Sequence, residues 1–287
     1  MQENWVMKDK QDIGRITLPT HGGGFFSNFF LVLDHMMTCY HTNLKPYVDL
    51  SNSAFLEGYN PYTDTLPANT DNVWDWWFEQ EYPSDEDNVI DVQYSPRNFG
   101  QDKVMWKRDN MPFAKAVGDL NIHIRPHILK QAEEHYNNLL KDRVSLGVMA
   151  RGCEFSTYHR PFGNQTIETW ISYTENILKL HPEINTIFFV TEDSHYIPIY
   201  LQKFPDAIYL KDVFRRTTES LSYMVSCPLW PVLTQPREKH CRILGEECLV
   251  QALLLGRCDY LLCKQCGTSS GTIYYATDNL KDVYYAD

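Results

Sequence analysis

From residue 143 onward the apolar positions come in two alternating textures. Short, near-continuous runs occur at Arg143–Ala150, Thr186–Val190 and Asp259–Cys263, the pattern of strands buried on both faces. Between them lie longer stretches with apolar residues at helical spacing. Thr166–Leu180 carries Ile167, Trp170, Ile171, Ile177 and Leu178. Tyr196–Phe204 is a shorter helical segment. Arg237–Gly256 carries Ile243, Leu244, Cys248, Leu249, Ala252, Leu253 and Leu255. A further strand is predicted at Ala207–Leu210, and the run ending at Cys263 breaks into Gly267-Thr268-Ser269-Ser270-Gly271. Strands alternating with helices across 143–271 predict an α/β domain built on a parallel sheet.

The first half is less regular. Gly14–Thr20 reads as a strand, Phe29–Tyr40 as a helix and Tyr47–Leu50 as a second strand, the start of another α/β unit. From Ser51 to about Phe113 the pattern dissolves into Asn, Asp, Pro and aromatic residues, with one short helix predicted at Val73–Glu81 around Trp74, Trp76 and Trp77. Ile128–Leu140 is again helical. His123-Ile124-Arg125-Pro126 punctuates the chain, so the domain boundary is placed there, giving domains 1–125 and 126–287.

Composition narrows the function. With 43% apolar and 22% charged residues, the 287-residue chain reads as globular, with length for two cores. A net charge of −11 excludes the basic footprint of a nucleic-acid binder and opposes adsorption to an anionic membrane. No run reaches the length of a membrane span, and MQENWVMKDKQDIG has no apolar leader core. A cytoplasmic location is therefore expected, or a secretory lumen if a leader was removed. Eight scattered cysteines predict reduced thiols rather than a disulfide scaffold.

The candidate chemistry lies at strand ends. In a parallel sheet all carboxyl ends share one edge. Arg151 with Glu154, Glu192 with Asp193, and Thr268, Ser269 and Ser270 are thereby predicted to converge. An arginine, carboxylates and hydroxyls beside helix N-termini suit a nucleoside diphosphate. The run Gly22-Gly23-Gly24 ahead of the first helix adds a close-approach anion cradle through Gly23 and Gly24. It is neither a dinucleotide fingerprint nor a P-loop. Cys263-Lys264-Gln265-Cys266 has metal or redox spacing, yet its cysteines flank a core strand, so buried thiols are expected and no metal site is assigned. Arg215-Arg216 reads as a solvated pair.

These residues resemble the GDP-fucose-dependent fucosyltransferases: the α1,6-, nodulation and protein O-fucosyltransferase branch. The strand ending at Arg151, the segment FFVTEDSHYIPIYLQKFP from Phe188, and CLVQALLLGRCDYLLC with its following serine pair carry the likeness. It covers most of 120–275, and Gly22–Asp49 more loosely. The resemblance implies a GT-B fold, two Rossmann-like domains facing a cleft, with the donor in the C-terminal domain and the acceptor on the side of the N-terminal one. It implies that Arg151 holds the diphosphate and assists departure of GDP, that Glu192 and Asp193 are the paired acids, and that Ser269 and Ser270 contact phosphate. It also makes Asn28 a donor or acceptor contact. The His-x-Arg motif has Met149 in place of histidine, Gly152 replaces a second arginine, and Gln251 replaces an acid.

The expected activity is inverting, metal-independent transfer of fucose from GDP-fucose to a glycan or protein hydroxyl, with no bound cofactor. Arg151 stabilises the leaving group, and Glu154 is the candidate carboxylate for activating the nucleophile. Two alternatives stand beside it: a non-catalytic nucleotide-sugar or glycan-binding protein of the same fold, and a GT-B transferase using another donor.

Overall fold

The computed structural model describes residues 12–18, 24–51, 71–84, 88–92, 108–151, 166–215 and 237–286. By their contacts the residues divide into two compact units: Met1–His21 with Ser27–Arg125, and Gly22–Phe26 with Pro126–Asp287.

In the first unit, strand β1 (Ile13–Ile16) is followed by helix α1 (Phe25–His41), whose first two residues are counted with the second unit, and by β2 (Lys45–Val48). Then come β3 (Phe78–Glu79), β4 (Val89–Val92), α2 (Met111–Asp119) and β5 (His123–Ile124). β1 is the centre of a parallel three-stranded sheet in the order β2-β1-β4, and β3 and β5 form an antiparallel pair. α1 is apolar on most of its circumference, so it is buried nearly all round: Phe29, Phe30, Val32 and Leu33 are all solvent-excluded. Trp74 packs on Phe29 and Phe78, its ring 4.2 Å from that of Phe78.

The aromatic stretch corrects the sequence reading. The helix expected at Val73–Glu81 is a single 3-10 turn, Val73–Trp76, capped by the Asn72 side chain, which accepts the Trp74 N–H. Beyond it the chain is held extended from a distance. The Gln80 amide accepts the Val48 N–H at 3.0 Å and donates to the Val48 carbonyl at 2.9 Å, replacing a strand neighbour. Tertiary hydrogen bonds override the local helical period there. α1 also starts at Phe25 rather than Phe29, because Phe25 and Phe26 are core residues and not part of a turn.

The second unit runs α3 (Pro126–Leu139), β6 (Ser145–Ala150), α4 (Ile167–Leu180), β7 (Thr186–Thr191), α5 (Tyr196–Lys203), α6 (His240–Leu255), β8 (Tyr260–Cys263), α7 (Gly267–Tyr274) and β9 (Asp282–Tyr285). All four strands are parallel, in the order β7-β6-β8-β9. Every residue of β6, β7 and β8 is buried. Leu146, Val148, Ala150, Ile187, Phe189, Tyr260 and Leu262 face Trp170 and Ile177 of α4 and Tyr196 and Tyr200 of α5. Tyr200 stacks on Phe189 at 3.9 Å, its hydroxyl bonded to Thr174. The opposite face receives α6. Gly147 permits that approach, since a Cβ there would lie 2.9 Å from Leu255 and 3.2 Å from the Cys258 sulfur. The Asp259 carboxylate accepts the Ser145 N–H at 2.8 Å, tying the start of β8 to that of β6.

Two departures concern the sheet. The expected strand at Ala207–Leu210 is reduced to one parallel bridge, Ile208 to Phe188. The Gly267–Gly271 break is instead the opening of helix α7, and β9, a further four-residue strand, was not expected from the sequence. Among the described residues no helix is long and apolar enough to cross a membrane.

Gly271 sets a packing limit in this unit. A Cβ on it would lie 2.2 Å from Cδ1 of the Phe26 ring, and an aromatic ring cannot swing away as a terminal methyl can. Gly271→Ala is expected to cost about 1–3 kcal/mol. Thermal unfolding should show a midpoint lowered by several degrees, and an unchanged midpoint would mean that this ring does not rest on α7.

Candidate functional site

Parallel register builds the site. Ala150 pairs with Thr191 across β6 and β7, so the next residue on each strand, Arg151 and Glu192, emerges at the same edge about one strand spacing apart. Their side chains meet as an ion pair, Nη1 to Oε2 at 3.1 Å, and each is about nine-tenths buried (10% and 11% exposed). They stand in an open-sided recess of about 60 Å³ that also takes in Met149, Phe214, Glu247, Cys248, Gln251 and Thr268.

Helix α6 forms one wall. Leu244, Cys248, Gln251 and Leu255 recur at three- and four-residue steps and so share one stripe facing the recess. Glu247 stands on the flank of that stripe. The Arg237 guanidinium grips its carboxylate through two parallel bonds of 2.8 Å, and the Phe214 N–H adds a third at 3.3 Å. Arg237 also lies over the Phe214 ring, 5.4 Å from its centre, and donates through Nε to Nδ1 of His240 at 3.1 Å. That bond makes Nδ1 an acceptor, so the neutral imidazole carries its proton on Nε2. Burial, aided by the Arg237 charge, holds His240 down to about 4. Burial, with the neighbouring Glu247 charge, pushes the Cys248 thiol up to about 12, so it stands in the recess protonated.

Helix α7 supplies the other polar end. Cys266 is its N-cap in a reciprocal capping box with Ser269. The Ser269 hydroxyl accepts the Cys266 N–H at 2.9 Å and donates to the Cys266 carbonyl at 2.8 Å. Thr268, in the same first turn, lines the recess. The helix opens its positive end and its terminal N–H groups at this edge, a setting suited to an anion.

Of the residues singled out in the sequence, Arg151, Glu192 and Thr268 meet in the recess, with Met149 and Gln251 beside them. Asp193 does not line it. It is fully buried at the start of α5, where its carbonyl accepts the Tyr196 N–H. Ser269 is occupied by the capping box, and Ser270 is buried behind it at 6% exposure. Gly24 belongs by contact to the second unit, whereas Asn28 is buried on α1 in the first. Gly23 and Glu154 lie outside the described residues, as does Arg216. Arg215 is not the solvated residue expected. It is half-buried and donates to the carbonyls of Val213 at 3.1 Å and Leu210 at 2.6 Å.

The sequence reading passed over Glu247, Arg237 and Phe214. Helical spacing from Cys248 and Gln251 brings Glu247 near the recess, but its bond to Arg237, outside the helix, carries no periodic signal. Each cation in the cluster faces a carboxylate. An anion entering the recess therefore shares Arg151 with Glu192 and draws additional donors from the first turn of α7.

No protein-family profile matches this chain, and no curated protein sequence does. Solved structures do match. The fucosyltransferase NodZ from Bradyrhizobium is 15% identical with a TM-score of 0.57, over 93% of this chain and 92% of that one. NodZ α-1,6-fucosyltransferase co-crystallized with GDP gives the same identity, coverage and TM-score. The form soaked with GDP-fucose gives 15% identity and a TM-score of 0.55 over 93% and 92% of the two chains. The chain thus has the α/β, GT-B-type fold of NodZ.

His240 gives the site a pH signature. Its folded value of about 4 lies below the ordinary 6.5. Between those values the unfolded chain binds a proton that the folded chain does not, so stability falls as the pH drops through that window. The loss attributable to His240 is at most about 3 kcal/mol. His240→Asn keeps an acceptor for Arg237 and removes the titration. Denaturation followed from pH 7 to pH 4 should show a shallower loss in the variant. Parallel curves would mean that His240 titrates normally in the folded protein.

Proposed function

We propose that the chain is an inverting glycosyltransferase that transfers fucose from GDP-fucose to a hydroxyl of a glycan or protein. The observation that carries the reading is the recess itself. An arginine at the carboxyl end of β6 and the N-terminus of α7 meet there, in a fold shared with an enzyme solved with GDP and with GDP-fucose.

In this reading the donor diphosphate lies between Arg151 and the first turn of α7, with Thr268 at hand. Transfer is a single displacement at the anomeric carbon through an oxocarbenium-like state. The C–O bond to the diphosphate breaks as the acceptor oxygen bonds to the opposite face of the sugar, which inverts the configuration. The largest charge developed is on departing GDP, and a prepositioned, largely buried guanidinium stabilises it more in the transition state than in the ground state. Arg151 takes that role without a metal ion. Glu192 orients Arg151, and Glu154 is the candidate to accept the acceptor's proton.

A second reading has its own observation. The Arg151 guanidinium already faces Glu192, the recess carboxylate Glu247 is already gripped by Arg237, and Met149 and Gln251 stand where the resembled family has a histidine and an acid. This balance suits a protein that binds a nucleotide sugar without transferring it.

Thermal shift with GDP, UDP, ADP and their sugars tests the donor. GDP and GDP-fucose should stabilise the chain and the others should not, because only a ligand bound to the folded state raises its stability. Arg151→Ala should weaken GDP binding at least tenfold, as expected for loss of a charge-assisted phosphate contact. Preference for another nucleotide, or full GDP binding by the variant, would remove this donor or this residue from the reading. Release of free fucose or a fucosylated product from GDP-fucose then separates the enzyme from the binder.

A further inference from the structure

The first unit has a cavity that the transfer reading leaves unused. It encloses about 480 Å³ on the flank of the edge strand β2, between the end of α2 and the β3–β5 ribbon. That is the size of a small-molecule site. All of its lining belongs to the first unit, and it shares no residue with the Arg151 recess.

The floor is apolar. Pro46 and Val48, two apart on β2, share a face and meet Met36 of α1 there. Leu120, 69% exposed just past the end of α2, stands at the rim.

The polar groups fall into two sets. One is already engaged within the protein. Besides its two bonds to Val48, the Gln80 amide donates to the Asp75 carboxylate at 2.9 Å, and Lys45 is paired with Glu81. The other set is held open. Asn121 donates through Nδ2 to the Val117 carbonyl at 2.8 Å and to the Tyr40 hydroxyl. Both amide hydrogens are thereby engaged, which leaves Oδ1 as an oriented acceptor. Glu79 and His123 lie opposite each other across β3 and β5, so their side chains stand on one face of the ribbon. Among the described residues neither makes a side-chain hydrogen bond or an ion pair.

This lining narrows what fits. Lys45 against Glu79 and Glu81 leaves a net negative charge, which opposes phosphates and therefore the nucleotide donor. No group of three metal-ligating side chains stands there among the described residues. Nor is the strand edge open to an added peptide. Lys45 and Asp49 turn their N–H groups to β1, so Pro46 and Val48 face outward. Pro46 has no N–H, and that of Val48 is taken by Gln80. A neutral ring bearing several hydroxyls matches what remains. It donates to Glu79 and Asn121, exchanges a bond with His123 and lays its C–H face on Leu120 and Pro46.

We propose that this cavity is a saccharide-binding site selective for neutral sugars. Because Gln80 and Asn121 are fixed by the protein's own hydrogen bonds, the wall is formed before the ligand arrives, and little ordering offsets the affinity. In a transferase such a site holds a remote unit of the acceptor glycan. That use rests on the transfer reading above; the binding of sugar does not.

The full chain, labelled at its amino terminus, is applied to an array of neutral, sialylated and sulfated glycans with lysine-rich peptides alongside. The strongest neutral glycan is then titrated calorimetrically. Neutral glycans should bind and acidic ones should not. Glu79→Ala should weaken the chosen glycan about tenfold, as loss of a charged acceptor does, and should leave the GDP thermal shift unaltered. Leu120→Ser should weaken it as well, and it is the second variant should the first fail to fold. Saturating GDP should not displace the glycan.

Absence of any bound neutral glycan overturns the proposal. So does a preference for acidic glycans or lysine-rich peptides, or binding that both variants keep. Displacement by GDP overturns it too, because the sugar would then sit in the donor recess. A chain that binds the glycan and ignores GDP would defeat the donor reading and leave this site standing. A chain that responds to GDP and binds no neutral glycan would do the reverse.

Discussion

The structure depends on one constraint, the parallel pairing of β6 with its neighbours β7 and β8. Because the strands run the same way and in fixed register, whatever follows each in sequence is delivered to the same edge. Ala150 beside Thr191 places Arg151 against Glu192. The same sheet ends β8 where α7 begins, which sets a helix N-terminus at that edge. Burial on both faces makes a register slip costly, since β6, β7 and β8 have no solvent face on which a displaced side chain could rest.

Close approach of α6 to this sheet is the second requirement. Gly147, without a side chain, lets Leu255 and Cys258 lie on the strand. The helix is thereby near enough for its stripe of Leu244, Cys248 and Gln251 to wall the recess. Two half-buried or buried ion pairs within a small volume are costly to desolvate, and they endure only because each guanidinium meets its carboxylate at hydrogen-bonding distance. The bidentate grip of Arg237 on Glu247 is the better formed, and it anchors the loop at Phe214 to α6 through the same carboxylate. The charged groups of this largely apolar recess are therefore held in place by one another.

Much of this was legible in the residue pattern. The continuous apolar runs of β6, β7 and β8 and the periodic stretches of α4 and α5 are strong signals because burial on both faces, or on one stripe, leaves a regular trace; α6, buried on most of its circumference, showed instead through its length of apolar sequence. Arg151 and Glu192 follow from the same logic. Where the trace was weak, the expectation failed for identifiable reasons. Val73–Glu81 has helical spacing, but Gln80 is held to Val48 by two bonds from a remote strand. Ala207–Leu210 looks like a strand and makes one bridge. β9 is only four residues long and lies at the sheet edge against β8, too short a run to stand out along the chain.

By itself the sequence determined the class of fold and the edge at which its chemistry gathers, because local periodicity reports burial, and parallel topology sends all strand ends one way. Which groups are available at that edge was decided by tertiary structure. Asp193 and Ser269 have the right residue types at the right strand ends, yet one is buried under α5 and the other holds the Cys266 N-cap. Glu247 and Arg237, ten positions apart, become a single unit only when the chain before α6 folds back upon it. Hydrogen-bond partners are chosen by three-dimensional proximity, and no periodicity along the chain records that choice.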